Sequence, residues 1–288
     1  MDPQSSTLEL PSELERHIFE LCACSRPVTI PKLMLVAWRV KEWVEPLLYR
    51  TIIISPSEHP IEGYPIFTKR ILAAVLHSKP ATFFRDSVRY LLLHAVSDDF
   101  VQFTLSRCTG VQNLWAPNAS VALIDASAAR RLPLRHLYTN FTPLFHDDVP
   151  LAGQTQFAQL THLELIGAPP EDTDVASTLS HLPRLTHLSF NEEEFIPSCL
   201  ALLQKCRCLL ALISLDGKSL RSTFHEYEVD LAKDPRFVVM YSSWFKDWQK
   251  GVHAGMDYWT RAEEFIEKRR SRMIDVTDYE VPDDDPRN

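Results

Sequence analysis

L-T-H-L-E-L at 160–165 and L-T-H-L-S-F at 185–190 share one pattern, L-x-x-L-x-L, and start 25 residues apart. Working back, L-R-H-L-Y-T starts at Leu134, V-Q-N-L-W-A at Val111 and V-R-Y-L-L-L at Val88, at steps of 26, 23 and 23. Working forward, L-L-A-L-I-S follows 24 residues on at Leu209, and F-V-V-M-Y-S after a further 28 at Phe237. Ahead of them all, Ile52, Ile53 and Ile54 form a β-branched run closed by Ser55 and Pro56, a strand signal. Such units cannot bury their own apolar faces, so the period predicts an array in which each unit is one strand plus a return segment. Successive strand residues point to opposite faces, so repeat positions one, four and six turn inward and three and five face the concave side.

This period is that of a leucine-rich-repeat-like solenoid, an α/β (or α+β) array expected over 51–242. Return helices are expected at Ile66–His77, Phe100–Cys108, Ala119–Arg130, Asp172–His181 and Phe195–Cys206, with Asp98 or Asp99 and Asp172 or Thr173 as N-caps. The repeats lack the asparagine of well-formed units, which predicts an irregular array. With seven glycines and twenty prolines the chain has many element boundaries and few phosphate-cradling loops. On the concave side fall Tyr90, Trp115, His136, Tyr138, His162, Glu164 and His187, the expected target-binding residues, because aromatics dominate interface hot spots. The competing expectation is that a C-terminal segment covers them as core. His136, His162 and His187 share one repeat position, so they should stack as a ladder across adjacent strands; they are read as polar, solvent-facing side chains, with no metal expected.

Upstream, Leu14, Ile18 and Leu21 follow Pro11 at helical spacing, a second start falls at Thr29–Pro31, and Trp38, Trp43, Leu47 and Leu48 extend a third helix that Pro46 should kink or interrupt. L-P-x-E-L-x-x-x-I-F at 10–19, L-V-x-x-R at 35–39 and P-L-L-Y-R at 46–50 together resemble the F-box-like modules at the N-termini of fungal, basidiomycete-type proteins. The run D-P-R-F-V-V-M from Asp234 is similar to the last strand of the same family. The resemblance implies a three-helix module at 8–50 that docks on a Skp-family adaptor of a cullin-RING ubiquitin ligase, with the repeats holding a target protein. Carried over by position, Leu10, Pro11, Leu14 and Ile18, with Leu33, Val36 and Trp43 behind them, would form or support the adaptor face. The match departs from the commonest F-box in its short middle section, Cys22–Pro31. A second reading keeps these helices only as a cap on the solenoid, without adaptor binding.

After the repeats, Trp244, Phe245, Trp248, Tyr258, Trp259, Ala262, Phe265 and Ile266 predict two amphipathic helices (243–273) capping the last repeat. Lys268, Arg269, Arg270 and Arg272 read as cations suited to a helix C-terminus, or as a nuclear-localisation cluster. The acidic, proline-containing stretch 274–288 is expected to be disordered.

A net charge of −8 argues against a nucleic-acid partner, and no apolar run is long enough to span a membrane. Six cysteines without a disulfide-like spacing suggest a reduced, intracellular protein, cytoplasmic or nuclear. His225–Glu226 starts a zinc-protease-like motif but Val229 stands where its second histidine would be, Cys199, Cys206 and Cys208 lack a fourth ligand, and His146–Asp148 lies in an expected turn. No cofactor and no catalytic residues are expected, and the leading reading is a protein-interaction module.

Overall fold

The computed structural model describes residues 10–55, 63–117, 132–141, 155–169, 173–215 and 228–282. The expected helix at 119–130, His146–Asp148, Asp172 and His225–Glu226 lie outside them. Eight strands form one parallel sheet in chain order: β1 Thr51–Ile54, β2 Tyr90–Leu93, β3 Asn113–Trp115, β4 His136–Asn140, β5 His162–Ile166, β6 His187–Phe190, β7 Ala211–Leu215 and β8 Phe237–Met240. Thr51, Tyr90, Asn113, His136, His162, His187 and Ala211 stand side by side. From Tyr90 onward they are the third position of each repeat, so the sequence period and the sheet register are the same fact. The arrangement is mixed α/β with an open, all-parallel sheet, compatible with a solenoid.

The fourth-position leucines, Leu91, Leu114, Leu137, Leu163, Leu188 and Leu212, are fully buried on one face. They share a core with residues of the return segments such as Leu72, Leu105, Phe157 and Leu202. Phe157 ends a short 3-10 turn, Thr155–Phe157, and the other return helices are α4 Lys69–Ser78, α5 Ala81–Ser87, α6 Asp98–Arg107, α7 Val175–Leu179, α8 Ile196–Lys205 and α9 Glu228–Lys233. Two N-caps differ from expectation. Ser97 precedes α6, leaving Asp98 and Asp99 inside its first turn, and Asp174 caps α7 by accepting from the Ser177 amide.

Phe237 pairs with Leu212, a fourth-position residue. The last repeat therefore starts at Asp234, 25 residues after Leu209 (234 − 209) rather than 28. Every residue from Phe237 to Met240 is apolar, so alternation alone left its phase open. Phe237 and Val239 face the main core, and Val238 and Met240 the concave side.

At the N-terminus lie α1 Ser12–Ser25, α2 Ile30–Leu33 and α3 Trp38–Leu48. The last helix runs through Pro46 without interruption, because the missing amide bond falls in its final turn. Ala23, Ile30, Val40 and Val44 form a separate small core, supported by Leu33 and Trp43. Such a core is slight for an independent unit, and the module leans on the repeats. Tyr49 sits among Phe67, Phe83 and Phe84, and Lys79 pairs with Glu45 at 2.9 Å.

The C-terminal helices, α10 Trp244–Ala254 and α11 Tyr258–Arg270, do not cap the array as expected; they lie across the concave side of the sheet. The open edge is instead covered by residues placed in the expected disordered tail. The Val239 amide donates to the Tyr279 carbonyl and the Val281 amide to the Val239 carbonyl, extending the sheet past β8. Unpaired edges invite further pairing, and Tyr279 and Val281 also pack on the two cores. Arg269 holds this corner together. Buried in full, it donates to the carbonyls of Ala232, Pro235, Phe237 and Val276. A basic cluster read by a transport receptor would need that side chain outside.

Candidate functional site

The concave face is where the sequence placed a target. Position-three and position-five side chains do point there, but the C-terminal helices cover them. Trp115, Tyr138, Glu164 and His187 are buried, and Tyr90, His136 and His162 are half-buried. Several polar groups are matched across the contact. Trp248 Nε1 donates to Asn113 Oδ1 at 2.8 Å, Trp259 Nε1 to the Tyr138 hydroxyl at 3.1 Å, and the Tyr258 hydroxyl to Glu164 Oε2 at 2.7 Å. Ser189 Oγ lies 2.9 Å from the same Tyr258 hydroxyl. Trp115, Tyr138, Glu164 and His187 are thus core residues, Tyr90, His136 and His162 are partly covered, and together they are not the free target surface expected of them. The physical reason is that α10 and α11 bring aromatic area together with donors placed opposite the strand acceptors.

The histidine ladder forms. Ring centroids of His136 and His162 are 4.1 Å apart, and those of His162 and His187 4.2 Å, each pair nearly parallel. Trp259 stands edge-on against the last two. The ladder is enclosed where solvent exposure was expected, and burial lowers the pKa of His136 to about 4 and of His187 to about 4. His162, between two rings, is pulled further down, by burial first and then by its neighbours. All three are neutral at pH 7. Glu263 Oε1 lies 2.9 Å from His187 Nε2, yet that nitrogen makes no aligned hydrogen bond. Burial acts the opposite way on Glu164, pushing its carboxyl up to about 7 against the pull of the Tyr258 hydroxyl. Among the described residues no group of three or more His, Cys, Asp or Glu is set to hold a metal. The six cysteines are free thiols, and no described helix is long and apolar enough to cross a membrane.

The N-terminal module presents the reverse picture. Leu10, Leu14, Ile18 and Leu21 succeed one another on one side of α1 and its entry, and all are exposed, Leu10 by 58% and Leu14 by 53%. Pro11 is exposed beside them. Between α2 and α3, Leu35 is 86% exposed with Val36 also in the open, and Trp38, the first residue of α3, is 71% exposed. Arg39 ties the start of α3 to α1 through a two-pronged bond to Glu15. Of the expected adaptor residues, Leu10, Pro11, Leu14, Ile18 and Val36 are outside, and Leu33 and Trp43 support the small core behind them. Leu21, Leu35 and Trp38 join the exposed set. Their helical spacing was visible, but only the fold shows that no described segment covers them.

Compared with known proteins, the chain matches no family model and no curated protein.

Proposed function

We propose that this chain is a recruiting protein whose N-terminal module docks on a Skp-family adaptor and whose repeat array brings a target to the same assembly. The observation that carries the reading is the apolar face of α1, uncovered among the described residues. Two helices shield the concave aromatics, whereas no described segment covers Leu10, Leu14, Ile18 and Leu21. Exposed apolar groups gathered on one face mark a partner surface more often than scattered ones. If the module were only a cap, its Leu10, Pro11 and Leu14 side would be the side pressed against the repeats. The repeats instead meet Tyr49 and Glu45 at the end of α3. In this reading the target surface is not the strand residues under α10 and α11.

Co-purification of the full chain with a Skp-family adaptor tests the proposal. Capture by the wild type, abolished in Leu14→Asp/Ile18→Asp with an unchanged thermal melt, is the expected result. A folded wild-type chain that recovers no adaptor overturns it.

A further inference from the structure

At the carboxyl ends of the strands a cleft of about 600 Å³ opens between the sheet and the start of α10. One wall is aromatic: Trp115 and Trp244 stack at 4.6 Å and 9°, and His94 stands edge-on to both. Asn140, Asn191 and Ser242 add short polar side chains, and Glu164 reaches the cleft from the middle of β5.

Three features bear on what belongs there. Glu164 is buried, and no Lys or Arg lies within ion-pair distance of it among the described residues; its bond is to the neutral Tyr258 hydroxyl. The neighbouring carboxylate, Asp247, already has both a cation, Arg261, and the Ser242 hydroxyl. No basic chain other than His94 is in the described lining, in a protein of net charge −8. The wall also has an unmet nitrogen that can accept from an N–H donor: His94 Nδ1 is buried without a hydrogen-bond partner among the described residues, which a finished core rarely leaves.

From these we infer that the cleft binds an alkylammonium or guanidinium group, paired with Glu164, resting against the Trp244 ring and donating to the side-chain amides of Asn140 and Asn191. A carboxylate beside an indole face offers a cation both a counter-charge and a π-surface. Among the described residues an anion would meet Glu164 with only His94 beside it, and a neutral sugar would leave that carboxyl without a counter-charge. The cation is carried either by a free polyamine or by a Lys or Arg side chain of a partner. The site stands apart from the α1 face and does not depend on adaptor docking.

Intrinsic tryptophan fluorescence of the full chain, followed while titrating spermidine, a capped Gly-Lys-Gly-Arg-Gly peptide, or maltotriose as a neutral control, tests the inference. Saturable quenching by spermidine, the peptide or both, with none by maltotriose, is the expected result, and the arm that responds identifies the source of the cation. Glu164→Gln keeps the acceptor for Tyr258 and should weaken binding about tenfold or more. Wild-type affinity should rise from pH 6 to 8 as Glu164 ionises, and the rise should flatten in Glu164→Gln, where His94 of the wall and the two groups that act on position 164, Tyr258 and Asp247, remain. Trp244→Leu, on a partly exposed side chain, is the second variant should the first fail to fold. No saturable response to either cation, an equal response to maltotriose, or affinity within twofold of wild type in every folded variant would overturn the assignment.

Discussion

The concave face of the sheet and the outer face of α1 are both rich in large apolar side chains, and the chain treats them in opposite ways. Over Trp115, Tyr138 and Ile213 it lays two helices of its own, with Trp248, Tyr258 and Trp259 matched to strand acceptors. Over Leu10, Leu14 and Ile18 it lays nothing among the described residues. A face that the chain covers itself belongs to folding; a face it leaves bare is available for association. The difference sets how each should respond to damage, and the sharpest test is removal of the cover. Truncation after Met240 would bare Leu92, Trp115, Tyr138, Ile213 and Val238 together and free the β8 edge. The expected outcome is an aggregating chain that binds a hydrophobic dye, measured by light scattering and dye fluorescence. A truncated chain that stays monomeric with native melting would erase the distinction.

Single residues of the cover should show graded losses. Arg269→Met removes a buried guanidinium that serves four carbonyls, Ala232, Pro235, Phe237 and Val276. Leaving buried acceptors unmet costs about 3 kcal/mol or more in sum, a melting temperature lower by about 6 °C or more by calorimetry. Trp248→Phe keeps most of the ring area but strands Asn113 Oδ1, for a loss of about 1–3 kcal/mol in denaturant unfolding. A double change with Asn113→Leu should recover part of that loss, because the unmet acceptor goes with it.

The strand positions, the identity of the residues on each sheet face and the ladder of histidines were legible because a period of two within the strand and about 25 between strands leaves little freedom. Coverage was not legible. Trp115 and Tyr138 read equally well as hot spots or as core, and the choice is made by partners as far along the chain as Trp248 and Trp259. The phase of β8 was lost because Phe237–Met240 is apolar throughout. The tail's acidic composition points to disorder, although Tyr279 and Val281, two residues apart, have the spacing of a short edge strand. The bare α1 face could be read as a helix stripe, but whether it met the repeats was a question of tertiary contact.

Titration of the covered face should give a smaller effect, with two opposing signs. His136, His162 and His187 have depressed folded-state values, so they contribute stability that is complete above the unfolded value near 6.5 and declines as pH falls from there, toward about 4 for His136 and His187 and further down for His162. Glu164 is raised from 4.5 to about 7, so its neutral form is favoured in the fold and its burial costs stability as pH rises through that window. Between pH 4.5 and 6.5 three histidines oppose one carboxyl, and stability should rise with pH. Glu164→Gln should raise the melting temperature at pH 8 and leave it nearly unchanged at pH 4. A variant equally stabilised at both values would show that packing, and not ionisation, is the cause.

The smallest effect belongs to the bare face, and its smallness is informative. Leu14→Asp/Ile18→Asp places two charges on side chains that are about half exposed. The aspartate introduced at position 14 would fall in the first turn of α1, where a negative charge is favourable. The one at position 18 would face it a helical turn on, a like-charge pair costing about 0.2–0.5 kcal/mol. Little apolar burial is lost, because the core of the module is Ala23, Ile30, Val40 and Val44. The net change in stability should stay within about 1 kcal/mol, read as a melt shift of a few degrees at most, while docking through that face is lost. A loss of several kcal/mol would mean that α1 is held against something in the folded chain. In that case the module would be a cap, and the two faces would differ only in how thickly each is covered.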